Sequence, residues 1–278
     1  MTPTPTQIPV LVISLARAKD RRESIKRHLD SMRIQHSFVE GTDGSMLPED
    51  EIVRLVAPGV SLHPGTVGCY LSHLEAYRRI VADSLPVALV LEDDARLDRR
   101  VARLLSEGLY CTDFDYCFLD CDDHNDRGPV FYDADSGVSI GLGFRAYTLS
   151  DGPQTLHAYL ITRAAAKQRL DHAYPIVKAI DLYDHLSYSI HFRAIVGTKA
   201  AWVSQHSLES STSSKHVSIG TLRFAFLRRW PLFYSLKRWA SLQPIKDLAA
   251  VRAARRNGKL PPGRRWRMLP SGREILIT

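Results

Sequence analysis

Three adjacent carboxylates, Glu92, Asp93 and Asp94, are the residues whose types and spacing most clearly indicate chemistry. They follow directly on the apolar run at residues 86–91, which is typical of a buried strand. Adjacent acids repel one another unless water or a cation screens them, and Mn²⁺ or Mg²⁺ takes oxygen ligands and bridges carboxylates to phosphates. Because alternate residues of an extended chain share a side, Glu92 and Asp94 are expected to project together, with Asp93 opposite. The alternative is a solvated turn, where Asp is common.

The elements that must position these acids alternate along the chain. Apolar runs predict strands at residues 9–15, 36–40, 86–91, 116–119 and 156–161. Helical spacing predicts helices at 18–32, 66–82, 163–171 and 182–190, followed by extended chain within 194–203. This alternation predicts an α/β fold with a mostly parallel sheet flanked by helices. Ligands of such sheets bind beyond the carboxyl ends of the strands, where Asp120 also lies.

The charge is divided unevenly along the 278 residues. Residues 215–278 contain 15 Lys and Arg and 2 acidic residues, whereas residues 1–214 contain 22 basic and 28 acidic ones. We therefore expect a catalytic domain over 1–214 and a basic, aromatic-rich, mainly helical extension over 215–278. Lys and Arg mixed with Trp and Phe are typical of a helix on an anionic membrane surface. A helical lid packed on the body is the alternative, and nucleic-acid binding is the least favoured one.

Other segments indicate the cellular setting. No apolar run reaches the roughly 18 residues of a membrane span, and the first residues lack the pattern of a secretory signal. The cysteines form no Cys-x-x-Cys pair, so reduced thiols are expected, and Cys117, Cys121 and His124 match no usual zinc spacing. We expect a cytoplasmic protein, peripheral on the cytoplasmic face of the inner membrane.

Four segments, in this order and spacing, resemble glycosyltransferase family 25, which includes bacterial lipooligosaccharide galactosyltransferases. They are the stretch from Val12 to Arg22, the run Gly-Cys-Tyr-Leu-Ser-His at 68–73, Leu-Glu-Asp-Asp-Ala at 91–95, and residues 157–162 with 179–182. The chain departs from the family at Thr155-Leu156, where Gly-Thr is frequent, so the donor or acceptor pocket is expected to differ there.

The resemblance implies a GT-A type fold with a Rossmann-like nucleotide-binding half. It implies metal-dependent, inverting transfer of a hexose, most often from UDP-galactose, to a lipooligosaccharide or another saccharide, lipid-linked acceptors included. Asp94 would coordinate Mn²⁺ or Mg²⁺, and Glu92 or Asp93 would contact the donor ribose or metal-bound water. Further donor contacts would come from Leu15, Arg17, Arg21, Arg22, Asp43, Ser72 and His73. Each has a structural alternative, such as a solvent-facing arginine, a turn aspartate or a packed histidine.

Inverting transfer also needs a base for the acceptor hydroxyl. Asp181 is the predicted base, at a point where a loop enters a helix, and its alternative is a helix N-cap. Asp184, Asp151 and Asp120 are lesser candidates. His206 is predicted to complete the metal shell, and the loop at 210–214 either closes over the donor or is a plain linker.

Other functions are compatible with the same acids. A retaining glycosyltransferase or a nucleotidyltransferase would use the same metal site, and a non-catalytic membrane-associated binding protein is an alternative from another class. The sequence has no Gly-x-x-x-x-Gly-Lys phosphate loop and no Gly-x-Ser-x-Gly elbow. The Gly-Leu-Gly at 141–143 lacks the third glycine of a dinucleotide fingerprint.

Overall fold

A computed structural model of the chain describes residues 8–109, 111–120, 124–125, 128–153, 156–182, 190–196, 200–203, 243–260, 262–268 and 273–275. The chain divides into two compact units, one formed by Met1–Thr212 with Arg264–Ile277 and the other by Ser213–Gly263. The expected domains, 1–214 and 215–278, stay a prediction, and in this division Arg264–Ile277 is grouped with Met1–Thr212.

The described residues form the following helices and strands. The helices are α1 Lys19–Ser31, α2 Glu49–Leu55, α3 Pro64–Ala82, α4 Arg99–Glu107, α5 Arg163–Asp171 and α6 Gln243–Arg256. The first strands are β1 Val10–Ser14, β2 Ser37–Glu40, β3 Val87–Glu92, β4 Ala95–Leu97, β5 Tyr116–Phe118, β6 His124–Asn125, β7 Gly128–Pro129 and β8 Phe131–Asp133. The later ones are β9 Val138–Gly141, β10 Phe144–Thr148, β11 Ala158–Thr162, β12 Phe192–Ile195, β13 Ala201–Val203, β14 Trp266–Met268 and β15 Arg273–Ile275.

The central sheet has eight strands in the order β2-β1-β3-β11-β5-β12-β10-β9. The pairs β2–β1, β1–β3 and β5–β12 are parallel, and the remaining four pairs are antiparallel. Within the described residues, six of these strands therefore run in one direction and β11 and β10 run in the other. The α/β fold and the predominant strand direction are confirmed, and the arrangement is compatible with a Rossmann-like glycosyltransferase fold.

The strands are buried on both sides, which explains why their sequences read as continuous apolar runs. Alternate residues enter different clusters: Leu11 and Ile13 lie in one, whereas Val10 and Val12 lie in the other. Helices α3 and α5 cover the first side with Val67, Leu74, Ala165 and Ala166. Helices α1 and α4 cover the second side with Ile25, Leu29, Val101 and Leu104.

The direction of β11 decides which residues meet at the carboxyl end of β3. Ala158 is paired with Leu91, so the residue before β11, His157, lies beside Glu92. The Glu92 amide donates to the His157 carbonyl at 2.9 Å. Since β1 is parallel to β3, with Ile13 opposite Glu92, Ser14 lies at the same edge. This edge therefore gathers side chains from the ends of three neighbouring strands.

The predicted elements before residue 172 are found at nearly the expected bounds, and the helix predicted at 182–190 falls largely outside the described residues. The last part of the predicted extension differs from a helix: Trp266–Met268 pairs antiparallel with Phe131–Asp133. Arg264 also donates to Asp133 at 3.1 Å. The aromatic stretch before Gln243 lies outside the described residues. Of the helices that the structure describes, none has the length and apolar character needed to cross a bilayer.

Gly68 on α3 is packed against the loop after β2. A Cβ added to Gly68 would lie 2.5 Å from the Gly44 nitrogen and 2.6 Å from the Thr42 carbonyl oxygen. We expect Gly68→Ala to displace this loop and to lower the free energy of unfolding by about 1–3 kcal/mol, the usual cost of overpacking. Denaturant unfolding measures the loss. Glu75→Ala, on the exposed side of the same helix, is the control, and equal stability of the two variants would contradict the packing.

His28 links α1 to β4 just after the acidic cluster. Its Nε2 accepts from the Leu97 amide at 2.9 Å, and burial together with the charge of Arg96 lowers the pKa of His28. Because the unfolded chain then binds the proton more readily, this part of the stability is present above about pH 6.5 and is lost as the pH falls below it. The bond contributes about 1 kcal/mol. We expect the melting temperature to fall less between about pH 7.5 and 5.5 in His28→Gln, which accepts without titrating. An identical pH dependence would exclude His28.

Candidate active site

Asp93 is held on the side of the sheet covered by α1. It is buried and accepts from Ser14 Oγ at 2.7 Å, and it forms an ion pair with Arg21 of α1. Both Asp93 oxygens therefore have partners within the protein. A sugar donor that contacted Asp93, as predicted, would compete with Ser14 and Arg21 for these oxygens. The geometry therefore favours a role for Asp93 in positioning Arg21.

Glu92 faces the opposite side, toward α3. Its Oε1 lies 3.4 Å from Nε2 of His73, which is fully buried. The other ring nitrogen, Nδ1, lies 2.8 Å from Tyr159 Oη. Tyr159 Oη donates to Tyr77 Oη at 3.2 Å, as does Tyr116 Oη at 3.3 Å. A buried chain of hydrogen bonds thus fixes the His73 ring and, through it, the Glu92 carboxylate.

The pKa of Glu92 reflects this setting. Burial alone would raise the pKa, but the hydrogen bond from His73 and the charges of His73, His157 and Arg21 outweigh burial and lower it. Glu92 is therefore held as a carboxylate, which suits a cation ligand.

Asp94 lies beyond the end of β3, where the strand alternation stops. Glu92 and Asp93 face opposite sides of the sheet, as expected. The chain turns at Asp93 and Asp94, so the alternation of an extended strand does not determine the direction of the Asp94 side chain. Arg21 Nη2 donates to Asp94 Oδ2 at 3.2 Å and thus contacts both aspartates. Burial and the charge of Glu92 raise the pKa of Asp94, which Arg21 offsets only in part.

Two buried polar atoms of this cluster have no hydrogen-bond partner among the described residues. They are the acceptor Oδ1 of Asp94 and the donor Nε of Arg21. Buried polar groups are nearly always paired, so each of these atoms needs a partner from outside the chain, either water or a ligand. A cation satisfies the carboxylate oxygen and an anionic group satisfies the guanidinium. The carboxylates of Glu92 and Asp94 supply the hard oxygen donors that Mn²⁺ or Mg²⁺ prefers, so these residues fit such an ion.

His157 and Asp120 complete the sheet edge. His157 Nε2 lies 3.5 Å from Asp120 Oδ2. Burial alone would lower the pKa of His157, but the hydrogen bond with Asp120 and the charges of Glu92 and Asp94 raise it. A positive charge on His157 would partly balance the acids in the absence of a cation. Asp120, a lesser candidate for the base, is thus engaged with His157.

The predicted base, Asp181, lies in a turn close to the α3 side of this cluster. Burial and the charges of Glu92 and Asp181 raise the pKa of the Cys69 thiol well above its ordinary value, which places both carboxylates near Cys69. Arg169 of α5 is buried and donates to the Ile180 carbonyl at 2.7 Å, holding the turn. The helix that Asp181 would cap falls outside the described residues.

A second group of predicted donor contacts lies around the loop after β2. Asp43 caps the 3-10 helix Gly44–Met46 and forms an ion pair with Arg17, which lowers the pKa of Asp43. Ser72 of α3 accepts from the Thr42 amide at 2.8 Å and so holds the loop. Leu15 packs against the loop at Gly41.

Arg21 and Arg22 are separated by their direction on α1. Arg21 points into the acidic cluster, whereas Arg22 donates to Glu40 at 3.3 Å and lies over the Phe38 ring. Arg22 is therefore engaged away from the cluster. His206, Asp184 and the loop at 210–214 lie outside the described residues. Cys121 does as well, so the structure does not test the group of Cys117, Cys121 and His124, which the sequence disfavours as a zinc site.

The comparison with protein families decides the relationship. The sequence model described as "Glycosyltransferase family 25 (LPS biosynthesis protein)" matches residues 7–183. The chain belongs to glycosyltransferase family 25. The match includes β1, α3, β3, β11 and Asp181, so it contains every described residue of the candidate site.

Known members of family 25 are similar over part of their length. The chain is 28% identical to procollagen galactosyltransferase 1-B of Xenopus laevis over 66% of this chain and 33% of that protein. It is 38% identical to the human protein called inactive glycosyltransferase 25 family member 3, over 35% of this chain and 19% of that protein. The chain therefore spans a third or less of these curated relatives. The crystal structure of HddC from Yersinia pseudotuberculosis is 14% identical, with a TM-score of 0.33 over 68% of this chain and 90% of HddC, too distant to identify a shared site.

Several residues of the site were not expected from the sequence. Ser14 contacts Asp93, and His157 contacts Asp120 and the Glu92 amide. Tyr159 contacts His73, and Tyr77 contacts both Tyr159 and Tyr116. None of these five residues was assigned a role. Ser14 lies 79 positions from Asp93, and Tyr159 lies 86 positions from His73, so no local spacing relates these pairs. The one usable signal was position, since Ser14 and His157 stand at strand ends next to β3.

Proposed function

We propose that this chain transfers a hexose from a nucleoside-diphosphate sugar to a hydroxyl of a saccharide, with inversion and with a divalent cation at Asp94 and Glu92. The observation that carries the proposal is the pair of orphaned atoms, Asp94 Oδ1 and Arg21 Nε, at the carboxyl end of β3 in a member of family 25. A divalent cation would bind the unpaired carboxylate oxygen of Asp94, and the diphosphate bound to that cation would accept a hydrogen bond from Arg21 Nε.

The proposed reaction is a single displacement at the anomeric carbon. The acceptor oxygen forms a bond to this carbon while the bond to the diphosphate oxygen breaks, and the leaving diphosphate takes the electron pair. A divalent cation, when bound, stabilises the negative charge of the departing diphosphate. Arg21 Nε donates to the same group, because its Nη2 is already held by Asp93 and Asp94.

The remaining residues bind, orient and accept the proton. His73 holds Glu92 on the α3 side through the contact at 3.4 Å. Asp181 takes the proton of the acceptor hydroxyl, a task that suits a carboxylate held near, but apart from, the acids at the diphosphate. Asp43, after β2, and its ion-pair partner Arg17, after β1, contact the nucleoside. The Gly41 amide donates to the Ser14 carbonyl at 2.9 Å and so holds the loop with Asp43 beside the end of β1.

The identity of donor and acceptor rests on relatives. Several relatives are named procollagen galactosyltransferases, which supports UDP-galactose as the first donor to test. The family description mentions lipopolysaccharide biosynthesis, which supports a lipooligosaccharide or another lipid-linked saccharide as acceptor.

The test is a panel of UDP-sugars incubated with the chain, with and without Mn²⁺, with release of UDP and transfer to saccharide acceptors as readouts. We expect UDP release from one hexose donor, chiefly UDP-galactose, only when Mn²⁺ or Mg²⁺ is present. Product stereochemistry separates inversion from retention. UDP release that is independent of metal, or no release from any donor, contradicts the proposal.

A non-catalytic role is the second candidate, because one similar human protein carries the name inactive. Such a protein would bind donor without turning it over. Thermal stabilisation by UDP with Mn²⁺, combined with no turnover of any donor and acceptor, would favour this candidate. Turnover with any donor removes it.

We also propose that the basic extension holds the protein on an anionic membrane surface at the cytoplasmic face, near a lipid-linked acceptor. The support is the composition of residues 215–278, with 15 basic and 2 acidic residues. Sedimentation with anionic vesicles should fade as salt is added. Equal sedimentation of a chain that ends at residue 214 would contradict this role.

A further inference from the structure

We propose that Cys69, His73 and Glu92 form a second cation site, one for a thiophilic divalent ion such as Zn²⁺, on the α3 side of the acidic cluster. Among the described residues these three side chains form a group whose ligand atoms lie within 4.8 Å of one another. The site differs from the hard-ion site at Glu92 and Asp94 because it supplies sulfur and nitrogen in addition to oxygen.

The spacing of the three donors suits zinc. Cys69 and His73 are four residues apart on α3, so they share one face of the helix. Bonds of about 2.0–2.3 Å at tetrahedral angles put ligand atoms about 3.3–3.7 Å apart. The His73 Nε2 to Glu92 Oε1 distance of 3.4 Å already meets this requirement. The sulfur needs an adjustment of only about 1 Å, which a cysteine rotamer change supplies.

His73 is oriented as a metal ligand. Its Nδ1 lies 2.8 Å from Tyr159 Oη, which in turn lies 3.2 Å from Tyr77 Oη. Zinc binding requires the tautomer in which Nδ1 donates its proton to Tyr159, because this leaves the Nε2 lone pair for the metal beside Glu92 Oε1. The zinc ion then takes the place of the proton that otherwise bridges Nε2 and Glu92 Oε1. Metal-bound histidines commonly donate their other N–H in this way.

Zinc at this site would act on the hard-ion site through their common ligand. When zinc binds, the Cys69 thiol releases its proton to solvent and the sulfur bonds to the metal. Glu92 is then withdrawn from the ion at Asp94. The consequence for transfer, which rests on the proposed function, is inhibition by zinc that added Mn²⁺ relieves. The zinc site itself does not depend on that activity.

The experiment measures zinc binding by the full chain without donor or acceptor, in competition with a chromophoric chelator. Co²⁺ is the spectroscopic probe, since a thiolate ligand produces near-ultraviolet charge-transfer absorption. Cys69→Ser is the test variant, and Cys111→Ser is the matched control because Cys111 is a free thiol of similar partial exposure. Tyr159→Phe removes the partner of Nδ1.

We expect zinc to bind with an affinity that falls at least about tenfold in Cys69→Ser and about tenfold in Tyr159→Phe, and that is unchanged in Cys111→Ser. The cobalt band should disappear only in Cys69→Ser. Absence of zinc binding, absence of the cobalt band in the unmodified chain, or unchanged affinity in Cys69→Ser overturns the site. Cys69→Ala replaces the serine variant if the latter does not fold. Zinc binding by a chain that transfers no sugar would contradict the proposed function but would support this zinc site.

Discussion

Asp94→Asn is expected to lower the rate of sugar transfer about 10²–10³-fold. This is the usual loss when one group that stabilises the charge of a transition state is removed. The variant keeps an oxygen for Arg21 but loses the charge that a cation needs. The same change should leave the melting temperature equal or higher. Burial and Glu92 raise the pKa of Asp94, so its ionised form is disfavoured in the folded chain.

The measurement pairs steady-state transfer across a Mn²⁺ series with thermal unfolding in the absence of metal. Asp30→Asn is the matched control, since Asp30 lies exposed on α1 with Lys26 as its partner. The control should transfer at the normal rate. A variant at position 94 that keeps normal transfer, with an unchanged requirement for Mn²⁺, would remove Asp94 from the cation site. A large loss of stability would instead attribute the lost activity to misfolding.

Asp181→Asn is expected to lower kcat by about 10²–10⁴, the range of general base catalysis, with little change in the KM for the donor. The amide cannot accept the acceptor proton at neutral pH, whereas the diphosphate contacts at Arg21 and Asp94 stay intact. Removal of the Asp181 charge also makes the electrostatic environment of the Cys69 thiol less negative.

The kinetic split distinguishes a base from a structural residue. Asp171→Asn is the matched control, because Asp171 lies exposed at the end of α5 with Lys167 as its partner. UDP with Mn²⁺ should stabilise the Asp181 variant as much as the unmodified chain. Near-normal turnover would eliminate Asp181 as the base, and a parallel loss of UDP binding would indicate a structural role for the turn.

Part of the site was predictable from short-range patterns. The apolar run of β3 is followed directly by the three acids. The sequence therefore predicted the strand, the position of its end and the candidate cation ligands from one short segment. The assignment of two arginines was not, because Arg21 and Arg22 are adjacent and identical in type. Their directions differ on α1, and only the packing of that helix sends Arg21 to Asp93 and Arg22 to Glu40.

The sequence by itself determined the α/β class, the bounds of the main elements, the acidic cluster and the family-like segments. These follow from periodicity and composition within windows of a few residues. Only the tertiary structure decided that β11 runs against β3, which brings His157 beside Glu92, and that Tyr159, 86 positions away, contacts the ring of His73. Strand direction, pairing partners and contacts between distant side chains depend on which surfaces pack together. Local spacing contains no information about these contacts. The unpaired atoms Asp94 Oδ1 and Arg21 Nε are therefore a property of the folded chain alone.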